Sequence, residues 1–138
     1  MRECLTAVLL LLSTPAVAAS YEVELDPAPF DATDRADVIG SVGDVTATLD
    51  GSRLMVSGNF SHLTSRAISA SLRIGLAKGV PGAAIGYLMV SPATEGTVSG
   101  LMNLTPAQVS ALDRQALYVR IDSEKAPEGN LQGWLEGK

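Results

Sequence analysis

Cysteine and histidine are almost absent: the 138 residues hold one of each, Cys4 and His62. A chain so poor in both has few routes to thiol chemistry, to cysteine-based metal sites or to imidazole catalysis. No G-x-S-x-G elbow is present, and a Ser-His-Asp triad would have to draw on His62, in "NFSHLTS", which reads as an exposed loop residue. A copper-zinc dismutase centre needs several imidazoles and is excluded on the same count. Basic residues are also few, 10 against 15 acidic, for a net charge of −5. Phosphate binding depends on clustered Lys and Arg, so a nucleic-acid role is not expected. Long apolar runs are missing too. None approaches the roughly 20 residues of a membrane-crossing helix, so no membrane span is expected.

The apolar run that does occur lies at the start, in "MRECLTAVLLLLSTPAVAAS". An early Arg2, a greasy core over residues 5–12 and the small residues Ala16-Val17-Ala18 are laid out as a secretory signal peptide. Cleavage is expected after Ala18, giving a signal peptide over residues 1–18 and one domain over 19–138, located in a periplasm or outside the cell. Cys4 would leave with the leader. Arg2 and Glu3 would leave together, so the net charge stays at −5.

From Tyr21 onward the chain has the pattern of short strands. Runs with apolar-polar alternation are expected as strands at residues 21–25, 42–49, 54–61, 68–76, 84–90, 97–103, 117–122 and 131–135, with Asp50-Gly51 as a hairpin turn. In "LTPAQVSALDRQ", Thr105 caps, Pro106 fits the first helical position and Gln108 closes a capping box, which predicts one short crossover helix. Val109 and Leu112 are its inward residues. Eight short strands with one helix imply an all-β, antiparallel sandwich or barrel.

"LTPAQVSALDRQALYVRIDSEKAPEGNLQGWL", preceded by "ASLRIGLAKGVPGAAI", resembles the CHRD domain, the module named from chordin and widespread in exported bacterial proteins. The helix, the aromatic strand Leu117-Tyr118-Val119, the turn Ala126-Pro127-Glu128-Gly129 and Leu131-Gln132-Gly133 stand in the family's order. Upstream, Ala70, Gly75, Gly79 and Gly82 fall in register with its glycine-spaced segment. The resemblance implies a Greek-key β-sandwich, similar in shape to immunoglobulin-like domains and copper-zinc superoxide dismutase. Many members carry histidines where this chain has Ser71, Arg73 and Asp122. Parity sets these three and Arg120 on the face opposite Leu72 and Ile121, and an ion pair between Arg73 and Asp122 is expected in place of the imidazoles.

The function expected is therefore that of an exported, non-enzymatic CHRD-like binding or structural module, without a cofactor, recognising a protein or glycan of the cell envelope. Its candidate binding residues are Ser71, Arg73, Tyr118, Arg120, Asp122 and Trp134, with the loops at 26–40 and 77–83 as further surfaces. Tyr118 and Trp134 are expected to pack together between the last two strands, or to offer an aromatic contact on an edge. The alternative is a periplasmic metal-handling or redox-associated protein. It would use His62, the thioethers of Met55, Met89 and Met102, or the acidic residues Asp26, Asp31, Asp34 and Asp37, whose spacing departs from a calcium-loop pattern.

Overall fold

The computed structural model describes residues 18–138. The expected signal peptide, apart from its last residue, and Cys4 lie outside the described residues. Alternation sets the walls of the domain. In β2 (Val42–Asp50), Val45, Ala47 and Leu49 point inward, and β3 (Arg53–Ser61) answers with Leu54, Val56 and Phe60. Their turn differs slightly from the sequence expectation. Asp50 pairs with Arg53, so the two loop residues are Gly51 and Ser52, and Gly51 takes φ +64°.

The remaining strands are β1 (Ala19–Pro27), β4 (Ala67–Ile74), β5 (Ala83–Val90), β6 (Gly96–Asn103), β7 (Leu117–Ser123), β8 (Leu131–Trp134) and the two-residue β9 (Glu136–Gly137). Every pairing is antiparallel, and the order around the wall is β2-β3-β6-β5-β4-β7-β8-β1, with β1 returning to β2. The connections from β3 to β4 and from β6 to β7 each pass over two strands, a Greek-key path.

This order corrects the expected sandwich: the eight main strands close into a barrel. Closure comes from two strands that change partner along their length. β1 runs beside β2 from Ala19 to Leu25, then Asp26 and Pro27 pair with Gln132 and Leu131 of β8. β5 runs beside β4 up to Leu88, then Met89 and Val90 pair with Ser99 and Val98 of β6. Such seams remove most free strand edge. One apolar core, including Leu25, Val45, Leu54, Leu72, Val119, Ile121 and Leu131, fills the interior.

Two helices among the described residues cross the ends. α2 (Pro106–Asp113) forms as its capping box predicts: the Gln108 amide donates to Thr105 Oγ1 at 3.2 Å, and Gln108 Oε1 accepts from the Thr105 amide at 2.9 Å. Ala111 and Leu112 seal the barrel, while Val109 is half-buried. The Tyr21 hydroxyl reaches Asp113 Oδ1 at 3.4 Å. Burial, followed by the Asp113 charge and this hydrogen bond, raises the Tyr21 pKa above its ordinary 10.0.

The second helix, α1 (Arg35–Val38), is a single turn within the acidic loop. Here Asp31 and Asp34 serve the backbone. Asp31 Oδ1 accepts from the hydroxyl and amide of Thr33 and from the Asp34 amide, and Asp34 Oδ1 accepts from the Asp31 amide at 2.7 Å. The Thr33 hydroxyl is the largest cause of a lowered Asp31 pKa. The loop is then fastened from below by Asn130, which is fully buried. Its Nδ2 donates to Ser41 Oγ at 2.9 Å and its Oδ1 accepts from Ser123 Oγ at 2.7 Å. Its carbonyl accepts from the Ala28 amide at 2.9 Å.

Candidate functional site

The candidate residues meet on the outer side of β4, β7 and β8. Register brings Ser69 opposite Asp122, Ser71 opposite Arg120 and Arg73 opposite Tyr118, while Tyr118 and Arg120 face Trp134 and Gln132 on β8. The shared face follows from alternation, since Leu72, Val119 and Ile121 fill the interior.

The ion pair differs from expectation. Asp122 is held by Arg120, two residues back on its own strand, through Nε to Oδ1 at 2.8 Å and Nη2 to Oδ2 at 3.3 Å. Ser69 Oγ adds a third bond to Asp122 at 3.0 Å. Arg73 forms no ion pair among the described residues. It turns the other way, donating through Nε to the Gly82 carbonyl at 3.0 Å and through Nη1 to Ser71 Oγ at 3.3 Å. The strip at Ser71, Arg73 and Asp122 is thus closed by its own hydrogen bonds.

It is also covered. Ser71, Tyr118 and Asp122 are buried, although they point away from the core. The cover over Tyr118 is the loop at residues 75–82, which the glycines make possible. A Cβ on Gly75 would stand 1.8 Å from the Val80 carbonyl oxygen, and one on Gly82 1.8 Å from that of Ile74. Only bare backbone can pack this closely. The Tyr118 hydroxyl then clasps Gly82 twice, donating to its carbonyl at 3.0 Å and accepting from its amide at 2.9 Å. Lys78, in the same loop, pairs with Glu136. On the other flank Gly129 lies over Arg120, with room of 3.3 Å between a notional Cβ and Arg120 Cδ.

Trp134 remains at the border of this covered zone. Its ring stacks on Tyr118, centroids 4.5 Å apart and planes inclined by 26°. Its Nε1 is buried without a hydrogen-bond partner among the described residues, a costly state for an N–H donor. Beside it runs a groove of about 520 Å³, walled by Glu24, Asp26 and Pro27 of β1, Lys78, and Gln132 and Trp134 of β8. Glu24, Asp26 and Gln132 form the acceptor side; the sequence singles out Trp134 and Asp26 but not Glu24 or Gln132. The signal for those two is parity on β1 and β8, legible only once the two strands are known to be neighbours.

The other candidates do not converge. His62 is exposed, with φ +62°, and its Nδ1 contacts Ser61 Oγ at 3.0 Å. Met55 and Met89 stand outward, while Met102 packs against the core beneath Gly86. Among the described residues no three His, Cys, Asp or Glu side chains gather as a metal site. No helix among them is long and apolar enough to cross a membrane.

No curated protein and no solved structure matches this chain. Residues 18–135 match the family described as the CHRD domain. That span takes in the barrel from β1 to the end of β8, with the glycine loop and the aromatic strand pair in their expected places, and the chain belongs to the CHRD domain family.

Proposed function

We propose that this chain is an exported, non-enzymatic binding module that takes a hydroxyl-rich ligand of the glycan class in the groove beside Trp134. Export to a periplasm or the extracellular space rests on the leader-like residues 1–18. The observation that carries the binding reading is the Trp134 indole: a rigid ring, backed by Tyr118, on the wall of a groove of about 520 Å³. Grooves of this size are typical of small-ligand sites. An aromatic surface beside the carboxylates of Glu24 and Asp26 and the amide of Gln132 offers both an apolar platform and hydroxyl acceptors.

Support for a module without catalysis comes from the strip at Ser71, Arg73, Arg120 and Asp122, whose polar groups are engaged with one another and with Gly82. The metal-handling alternative draws no support from the geometry of the described residues.

Trp134 is the single tryptophan of the chain, so its emission reports the groove directly. Titration with a panel of neutral and N-acetylated oligosaccharides is expected to shift that emission saturably. Gln132→Ala is expected to weaken the response by about tenfold, the loss of one hydrogen-bonding partner. A panel with no active member would overturn the glycan reading, and a response to an extended basic peptide alone would assign the groove to protein recognition.

A further inference from the structure

The outer wall formed by β3, β6 and β5 carries a strip of large apolar side chains that none of the described residues covers. Tyr87 is 73 % exposed, Met89 77 %, Met55 59 % and Leu101 51 %. Register places Met55 opposite Leu101, and Met89 opposite Ser99 two residues further along β6. Tyr87 and Met89 are two apart on one strand and share its outer face. The strip therefore crosses three neighbouring strands, a width of roughly 10 Å. Around it the outward residues are Ser57, Asn59, Thr97 and Ser99, with Arg53 beside Met55 at one end as the single charge on these three strands. Tyrosine and methionine with few charges is the composition of an interface core.

Charge decides the occupant. The chain carries −5 overall, and its acidic groups crowd the adjoining wall, where Glu22, Glu24 and Asp26 line β1 and Glu24 stands directly opposite Asp44 of β2. Lys138 offsets Glu22 at 3.4 Å, whereas Glu24 and Asp44 have no cation partner among the described residues. Two copies meeting through that wall would set carboxylate against carboxylate. The wall of β3, β6 and β5 holds no carboxylate, so two copies meet there without that opposition, and one patch serves both partners about a two-fold axis.

We propose that this carboxylate-free wall is a homodimer interface, in which Tyr87, Met89, Leu101 and Met55 of one copy pack on the same residues of a second. The assembly is independent of the groove beside Trp134.

Sedimentation velocity of the purified protein over a concentration series tests it. The expected result is a monomer-dimer equilibrium. Leu101→Glu, which places a charge at an exposed position, weakens it at least tenfold, while Glu24→Ser on the acidic wall does not weaken it. Peroxide mapping supplies a readout without any variant: oxidation of Met55 and Met89 slows at concentrations where the dimer forms. A monomer throughout the series, a dimer untouched by Leu101→Glu, or a dimer that leaves both methionines equally reactive would each overturn the proposal.

Discussion

Arg120 and Asp122 grip each other along one strand, by two bonds of 2.8 and 3.3 Å, and not across the sheet. Residues two apart on a strand share a face, so the pairing costs no distortion of register. Both side chains are largely shielded, at 19 % and 9 % exposure. Asp122→Ala strands the Arg120 guanidinium and Ser69 hydroxyl, and is expected to cost about 2–3 kcal/mol in urea unfolding. The double variant Arg120→Met, Asp122→Leu removes both charges and is expected to recover most of that loss.

Asn130 ties segments far apart in the chain, reaching Ser41 and Ser123 from a fully buried position. Asn130→Ala leaves the buried Ser123 hydroxyl without its acceptor, whereas Ser41 keeps its bond to the Val38 carbonyl. A loss of about 1–3 kcal/mol is expected, the cost of one unsatisfied buried group. Amide exchange should quicken around Ser41, which loses the bond from the Asn130 side chain.

The glycine loop gives a third test. Gly82→Ala puts a methyl group against the Ile74 carbonyl, so the loop must move and release the Tyr118 hydroxyl. Destabilisation of about 1–3 kcal/mol is expected from the overpacking. A red shift of Trp134 emission should accompany it, because the loop holds the ring on which Trp134 stacks.

Alkaline pH tests the Tyr21 contact. Its pKa is raised in the folded state, so the stabilisation it reflects is complete below the ordinary value of 10.0 and is lost as pH rises through the folded value. Melting temperature is expected to fall above about pH 10 in the native chain. In Tyr21→Phe that part of the alkaline fall should disappear.

Much of the wall was legible because alternation is a local property. Val45, Ala47 and Leu49, or Val119 and Ile121, announce their inward side without reference to any partner. The cap at Thr105 was equally local, as was the cross-strand meeting of Tyr118 with Trp134 once the hairpin was placed. Barrel closure was not legible. It depends on β1 and β5 changing neighbours at Asp26 and Met89, and neither residue differs in type from those that continue a strand. The partner of Asp122 escaped for another reason. Parity fixes a face, but the choice between Arg73 and Arg120 was settled by the Gly82 carbonyl, which draws Arg73 away. The burial of that face was hidden too, because the covering loop at residues 75–82 reads as ordinary glycine- and proline-rich turn text.

The partner exchange of β1 also governs the order in which the molecule can assemble. Pro27 meets Leu131, and Tyr21 and Glu22 meet Gly137 and Glu136, so the final seam joins stretches separated by almost the whole domain. Bringing such distant stretches together carries a large entropic cost before any contact rewards it, which makes refolding slow and strongly cooperative. Until the last strands arrive, Leu25 and its neighbours have no lid, and the nascent half-barrel is the species most open to aggregation or proteolysis.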